Sequence, residues 1–309
     1  MLLVDSHCDT IDVLMEKGGA LMENSGHVSL SKLLTYEKAV QFFAVWLNDG
    51  LAADAYANTL AALTFFKNEA AKNAATMGIV RDYADIMQNI SRGKVSALLT
   101  VEGGEALEGS LEKLHHLYAA DVRSVTLTWN RPNALGEPSA AANAGGLSPF
   151  GKAAVCEMNA LGMLVDVSHL SEKGFWDVAA ICEGPFIASH SNARALCPHP
   201  RNLTDAQIKA AAASGGVIGV NLYPPFLTGG YEASMSDVLR HIDHLVKTGG
   251  EHAVGLGGDF DGIEHTPSDM TDITCYHILY AKLKRRYGEQ IAAGICGGNY
   301  MRVLAKVLK

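Results

Sequence analysis

The chain has 309 residues, of which 48% are hydrophobic and 19% charged, a composition that favours a globular protein with a large core and excludes intrinsic disorder. Its formal net charge is −8, and the longest basic cluster, at 282–286, is typical of a solvated helix face, so we expect no nucleic-acid partner. The sequence becomes polar at Asp5, unlike a signal peptide, and no apolar run approaches the about 18 residues of a membrane span, which predicts a soluble cytoplasmic protein. Because no Cys-x-x-Cys pair occurs, the cysteines are expected to be reduced.

Short apolar, β-branched runs alternate along the chain with segments of helical period. Strands are predicted at 2–5, 41–47, 96–102, 123–128, 163–169, 185–190, 216–222 and 253–260. Helices are predicted at 51–74, 110–119, 171–182, 204–213 and 234–248, with two or three more after the last strand. This order predicts an α/β protein whose residues 1–309 form one domain, a single (β/α)8 TIM barrel with extra C-terminal helices.

The longest irregular stretch is predicted at 129–151, after the fourth strand, and is rich in Pro, Gly, Asn and Ala. Loops of this length are uncommon in compact domains unless they have a function. We therefore expect this loop to contribute to function.

Polar side chains follow or end several of the predicted strands. In a barrel of this kind the active site forms at the carboxyl ends of the strands. The residues found there are His7 and Asp9 after the first strand, Glu102 at the end of the third, His169 and His190 at the ends of the fifth and sixth, and Asp259 in the eighth. Three histidines and three carboxylates are thus expected on one rim, although they are far apart in sequence.

These residue types indicate a metal site, because neutral imidazole and carboxylate are common ligands of zinc and similar divalent ions. Alternate residues of an extended segment share a face, so His7 and Asp9 can bind one ion together. His169 and His190 are one βα repeat apart and could hold a second ion, with Glu102 between the two. Two ions about 3.5–4 Å apart can share a hydroxide and polarise a carbonyl.

Each residue also has an ordinary structural explanation. A strand-end glutamate such as Glu102 is more often a loop or capping carboxylate than a ligand, and His190 could be a hydrogen-bonded core histidine. Asp259 lies among glycines and could be a turn former. The metal site is favoured because all of these residues are predicted to meet on one rim.

Nine short motifs are distributed over nearly the whole chain: DSHCDT (5–10), VEGGEAL (101–107), TLTWN (126–130), DVSHLS (166–171), IASHSNAR (187–194), RNLTD (201–205), GVNLYP (219–224), GLGGDFDG (255–262) and GGNYMRV (297–303). Together they resemble the membrane (renal) dipeptidase family, peptidase family M19 of the amidohydrolase superfamily. The resemblance implies a barrel with two Zn²⁺ ions per chain. It assigns His7 and Asp9 to one ion, His169 and His190 to the other, and Glu102 to a bridge between them.

The resemblance also implies a reaction, the hydrolysis of dipeptides with a free terminal carboxylate, including those with a D-residue at that end. A zinc-bridging hydroxide would attack the peptide carbonyl, while Asp259 would handle the proton and contact the substrate amine. Arg201 would hold the terminal carboxylate, since a guanidinium meets a carboxylate with two parallel hydrogen bonds. Tyr223 would line the pocket near the same end of the substrate.

One position departs from the family. Characterised mammalian members carry a histidine that helps to stabilise the oxyanion, where this chain has Trp129. Tryptophan offers one N–H donor and cannot titrate. Either the zinc ions provide more of this stabilisation, or the neighbouring Asn130 or Arg131 supplies a donor. Trp129 and Asn130 are therefore expected beside the substrate.

The secretion signal and lipid-anchor tail of the mammalian enzymes are not seen in this sequence, so membrane attachment is not expected. Family members commonly form dimers, and a homodimer is compatible with the resemblance. An amidohydrolase acting on another amide, an ester or a lactone is the main alternative, favoured by Trp129 and the long loop. A metal-binding barrel without activity is disfavoured because Asp259 is present, and a metallonuclease is disfavoured by the acidic charge.

Overall fold

Parallel strands form a single sheet in the part of the chain that this computed structural model describes, residues 1–47 and 54–309. The strands are β1 Leu2–Asp5, β2 Lys38–Trp46, β3 Met77–Ile79, β4 Val95–Glu102, β5 Val122–Thr126, β6 Leu164–Asp166, β7 Ile187–Ala188, β8 Val217–Val220 and β9 Val254–Leu256. Every residue of β4 is buried, as expected for a parallel strand that is covered on both faces.

The sheet closes on itself through β2, which pairs with both β1 and β4. From β1 the order of neighbours continues through β9, β8, β7, β6 and β5 back to β4. Eight strands therefore form a closed barrel, which confirms the predicted (β/α)8 architecture. The ninth strand, β3, was missed by the prediction; it has only three residues and pairs with Val95, Ser96 and Ala97 of β4.

Helices follow most of the barrel strands. They are α1 Thr10–Lys17, α2 Leu30–Leu33, α3 Ala55–Lys72, α4 Tyr83–Ser91, α5 Leu111–Ala119, α6 Pro149–Leu161, α7 Glu172–Ile181, α8 Asp205–Ala213, α9 Pro224–Leu227, α10 Met235–Gly249, α11 Tyr276–Tyr287, α12 Glu289–Ala293 and α13 Asn299–Val307. A π-helical turn, Gly294–Gly298, joins α12 to α13. The predicted helices after residue 109 match α5, α7, α8 and α10 within one residue at each end, and three helices follow β9, as predicted.

Side-chain caps explain why these helix starts were visible in the sequence. Ser110, Ser171 and Thr204 each accept a hydrogen bond from the backbone N–H three residues further on, at the start of α5, α7 and α8. The predicted helix at 51–74 corresponds to α3, although its residues 51–53 lie outside the described part of the chain.

The predicted strands at 163–169 and 185–190 were too long. β6 ends at Asp166 and β7 at Ala188, and the residues that follow are turns. His169 has a φ of +65°, which no strand residue adopts. The apolar pattern continues past the strand because Val167 and its neighbours are still buried. These turns therefore lie at the carboxyl ends of β6 and β7 and carry His169 and His190.

The loop predicted at 129–151 is irregular up to Ser148, and its last three residues belong to α6 instead. Ser148 accepts a hydrogen bond from Gly151 N and has Pro149 after it, a combination typical of a helix start. The other end of the barrel is closed by α13, because Tyr300 packs in one core cluster with Leu164 and Val217 at the starts of β6 and β8.

Gly151 should be essential for packing α6 against this loop. A Cβ at this position would lie 1.9 Å from Leu135 O, a backbone atom that cannot rotate away. We expect Gly151→Ala to lower the free energy of unfolding by about 3 kcal/mol. At Gly184 a Cβ would meet nothing within 4 Å, so Gly184→Ala should change the free energy of unfolding by less than about 0.5 kcal/mol. Urea denaturation of the two variants checks this, and equal stabilities would contradict it.

Candidate metal centre

The carboxyl ends of five strands bring the six predicted polar residues into one cluster. His7 and Asp9 follow β1, Glu102 ends β4, His169 and His190 follow β6 and β7, and Asp259 follows β9. All except Asp259 are at least nine-tenths buried. The cluster is therefore largely shielded from solvent.

Glu102 lies between two groups of predicted ligands. Its Oε1 is 3.0 Å from His169 Nε2 and 3.3 Å from His190 Nε2. Its Oε2 is 3.5 Å from His7 Nε2, and that nitrogen is 3.3 Å from Asp9 Oδ2. Each carboxylate oxygen of Glu102 thus faces a different pair of side chains.

His7 and Asp9 meet for a different reason from the one predicted. Both lie beyond the end of β1, and Asp9 is the residue that precedes α1, so strand alternation does not orient them. Instead, Cys8 forms an isolated parallel bridge with Phe260, and Asp9 N donates to Phe260 O. The turn is therefore fixed by the segment that carries Asp259.

The donor set fits divalent metal ions. His7 Nε2 and Asp9 Oδ1 are buried and have no hydrogen-bond partner among the described residues, although unpaired buried polar atoms are rare in folded proteins. His169 Nε2 and His190 Nε2 lie 3.0 Å apart, and both face Glu102 Oε1. Imidazole nitrogens and carboxylate oxygens that converge in this way are the ligands that zinc and related ions prefer.

The charges of the three imidazoles differ. Burial lowers the pKa of His169 to about 4 and that of His190 well below its usual range, so both rings are neutral near pH 7 and can offer a lone pair. Burial also lowers the pKa of His7, but the carboxylates of Glu102 and Asp9 outweigh it and raise that pKa well above its usual range. The His7 side of the cluster therefore strongly favours a positive charge.

Asp259 is held at the edge of the cluster. Its Oδ2 accepts a hydrogen bond of 2.8 Å from Asn221 Nδ2, and its Oδ1 lies 3.9 Å from His7 Nε2. Burial raises the pKa of this carboxyl. A carboxyl with a raised pKa can exchange a proton closer to neutral pH, which suits a general acid or base.

Arg201 is a buried cation, 6% exposed, and no acidic side chain lies within 4 Å of it in the described part of the chain. Its Nη2 donates to His190 O at 3.3 Å, while its Nε has no partner among the described residues. Burial lowers its pKa to about 10, so it remains charged at pH 7. A buried, charged guanidinium with free donors is suited to an anionic group on a ligand.

A cavity of about 530 Å³ opens above the cluster. Its aromatic wall includes Trp46, Trp129, Tyr223 and Phe226. The rings of Trp46 and Trp129 meet edge to face, with centroids 4.9 Å apart, and Trp129 is 6.4 Å from the ring of His169. Trp46 ends β2, a strand end that sequence inspection passed over because it carries no ionisable group.

Asn130 also lines the cavity, but its amide oxygen is already engaged, 3.0 Å from His169 Nδ1. An oxyanion donor at this position would have to be its amide nitrogen. Sequence reasoning missed that Asn130 orients a predicted ligand, because nothing in TLTWN shows which neighbour it meets.

A closed parallel barrel with buried histidines and carboxylates at the carboxyl ends of its strands is the architecture of a metal-dependent hydrolase. The family model of membrane dipeptidases, peptidase family M19, matches residues 1–309. The chain therefore belongs to this family of metallopeptidases and is a dipeptidase.

Individual relatives agree with this assignment. An uncharacterized dipeptidase of Schizosaccharomyces pombe is 32% identical over 302 residues, which cover 91% of this chain and 72% of that protein. Dipeptidase AC, a metallopeptidase of family M19, has a crystal structure that matches with a TM-score of 0.92 at 30% identity, over 100% of this chain and 99% of that one. A metallopeptidase of Rhodobacter sphaeroides, crystallised with a phosphinate mimic of the dipeptide L-Ala-D-Ala, matches with a TM-score of 0.91 at 28% identity over 99% of both chains.

Among residues 1–47 and 54–309, no helix combines the length and the apolar character needed to cross a bilayer.

Proposed function

We propose that the chain is a two-zinc dipeptidase that hydrolyses dipeptides with a free carboxyl terminus. The proposal depends on one observation, the division of the two Glu102 oxygens between two pairs of buried ligands. His7 and Asp9 would hold one ion, His169 and His190 the other, and Glu102 would bridge them. Two divalent ions in such a site lower the pKa of water and polarise a substrate carbonyl.

The remaining groups would orient the dipeptide in the cavity. Arg201 would bind the terminal carboxylate through two parallel hydrogen bonds, with Tyr223 lining that end. Asp259 would contact the amino group and move the proton from the attacking water to the leaving amine. Trp46 and Trp129 would exclude bulk water from the opposite wall, which strengthens the electrostatic interactions inside.

A D-residue at the carboxyl end of the substrate is part of the proposal. Its support is the resemblance to the family and the Rhodobacter sphaeroides relative, whose ligand mimics L-Ala-D-Ala. This relative and the present chain match over 99% of their lengths.

The proposal is tested with L-Ala-L-Ala, L-Ala-D-Ala and the same two dipeptides amidated at the carboxyl end. We expect the zinc-loaded protein to cleave both free-carboxyl forms and to cleave the amides at least about 10-fold more slowly, because hydrogen bonds to a charged group contribute about 1.5–3 kcal/mol. Activity should disappear with a chelator and return with Zn²⁺. If no dipeptide is cleaved while two ions are confirmed in the protein, the proposal is wrong, and an amide, ester or lactone of another class becomes the expected substrate.

A further inference from the structure

His190 is backed by two side chains for which the reaction above has no role. Its Nδ1 lies 2.7 Å from Ser189 Oγ, and this hydroxyl lies 2.5 Å from Asp166 Oδ2. All three residues are at most 2% exposed. A row of buried polar groups therefore leads from a predicted ligand to the carboxylate at the end of β6.

The direction of the hydrogen bonds follows from Asp166, which can only accept when ionised. Its Oδ1 accepts the backbone N–H groups of Ser168 and Ser189, at 3.0 and 2.9 Å. Its Oδ2 accepts the hydroxyls of Thr126, at 2.6 Å, and of Ser189. Because the Ser189 proton points to Asp166, the oxygen of Ser189 is left as an acceptor for His190 Nδ1.

This direction determines the tautomer of His190. A proton on Nδ1 leaves the lone pair on Nε2, the atom that lies 3.3 Å from Glu102 Oε1 at the centre of the cluster. The opposite tautomer would place a proton where a metal ion must bind. The choice of tautomer is therefore a condition for metal binding.

We propose that Ser189, backed by Asp166, is a positioning residue that holds His190 in its metal-binding tautomer. The inference rests on the proposed two-metal site. His169, assigned to the same ion, is oriented by the neutral amide of Asn130, 3.0 Å from its Nδ1. His190, by contrast, has the carboxylate of Asp166 behind its partner Ser189, and such outer groups raise the basicity of a ligating histidine.

Asp166→Asn tests the direction of the hydrogen bonds while conserving shape. The two backbone N–H groups require an oxygen at the Oδ1 position, so the amide nitrogen would take the Oδ2 position and donate to Ser189 Oγ. The Ser189 proton would then turn towards His190 Nδ1, which at 2.7 Å is closer than its other neighbour, Ser168 Oγ at 3.3 Å, and would favour the wrong tautomer. We expect the affinity for one ion to fall about 10- to 100-fold in Asp166→Asn and Ser189→Ala, while the other ion stays tight.

Thr126→Val is the matched control, because it removes a buried hydroxyl from the same Asp166 oxygen without touching Ser189. Zn²⁺ affinity is measured by competition with a chromophoric chelator, the site is followed by Co²⁺ absorption, and the stability of each metal-free variant by urea denaturation. The Thr126→Val protein should have a lower free energy of unfolding but should bind both ions with the affinities of the wild type. If Thr126→Val loses affinity as Asp166→Asn does, or if all three variants bind as the wild type does, the positioning role is wrong.

The ¹⁵N shifts of the His190 ring in zinc-loaded wild-type protein provide a second test that needs no variant in the buried row. They should show the proton on Nδ1 and the metal on Nε2, and a proton on Nε2 would overturn the inference. A wild-type protein that binds fewer than two ions would overturn the proposed function and the positioning role with it. Two ions in the wild type and unchanged affinities in the variants would overturn the positioning role alone.

Discussion

Glu102→Gln is expected to abolish dipeptide hydrolysis and to leave at most one tightly bound metal ion per chain. The two carboxylate oxygens face different groups, His169 and His190 on one side and His7 on the other. Glutamine keeps only one oxygen, and its NH₂ group can donate but cannot bind a metal. One of the two sites must therefore lose its shared ligand.

The size of this effect follows from the lost charge as well as from the lost ligand. Burial alone would raise the pKa of Glu102, but His7 and His169 lower it well below its usual range, so the cluster contains a full negative charge there. Removing one important electrostatic group from an active site typically lowers kcat about 10²- to 10³-fold. Loss of a metal ion in addition should bring the decrease in kcat to at least about 10³-fold.

Glu105→Gln is the matched control, the same substitution three residues away, at a side chain outside the cluster and the cavity lining. Metal content is measured by mass spectrometry after dialysis, and kcat with L-Ala-D-Ala. The control should keep two ions and near-normal activity. A Glu102→Gln protein with two tightly bound ions and full activity would show that Glu102 is not a bridge.

The rim of the barrel could be predicted from the sequence because it follows from topology. Once β1, β4, β6, β7 and β9 belong to one closed parallel sheet, their carboxyl ends must lie on the same rim, however far apart they are in sequence. The helix starts were visible for a local reason, the capping hydroxyls at their first turns. Neither inference requires knowledge of side-chain packing.

The local geometry of the site could not be predicted in the same way. His169 and His190 were expected within strands, but β6 and β7 end earlier, and the turns that follow them aim the two rings. The motif DVSH contains Asp166, yet only the fold shows that its carboxylate meets Ser189, 23 positions further along the chain. Long-range contacts of this kind leave no periodic signal in one sequence.

The contact of Trp129 with Trp46 is another feature that the sequence alone could not predict. The sequence indicates that the family histidine is replaced, and the fold shows what replaces it, an aromatic wall formed with Trp46. These two residues are 83 positions apart, so their contact depends on the ends of β2 and β5, the two strands that flank β4 in the barrel. Their position supports a role in excluding water from the cavity.

Arg201→Met is expected to lower kcat/KM for free-carboxyl dipeptides about 100-fold while leaving the slow cleavage of amidated dipeptides nearly unchanged. The guanidinium is buried and charged at pH 7, with no acidic partner within 4 Å in the described residues, so a substrate carboxylate would be its counter-ion. Losing two charge-assisted hydrogen bonds corresponds to about 3 kcal/mol, or about 100-fold. The variant should therefore no longer distinguish a carboxylate from an amide.

Arg201→Lys should give an intermediate loss, because an ammonium keeps the charge but lacks the planar pair of donors. Arg240→Met is the matched control, since Arg240 is an exposed arginine of α10 that pairs with Asp237. Metal content is measured alongside, because Arg201 also donates to the backbone of His190. If Arg201→Met keeps two ions and cleaves L-Ala-D-Ala as the wild type does, Arg201 does not bind the terminal carboxylate of the substrate. The cavity would then fit an amide, ester or lactone without a terminal charge better than a dipeptide.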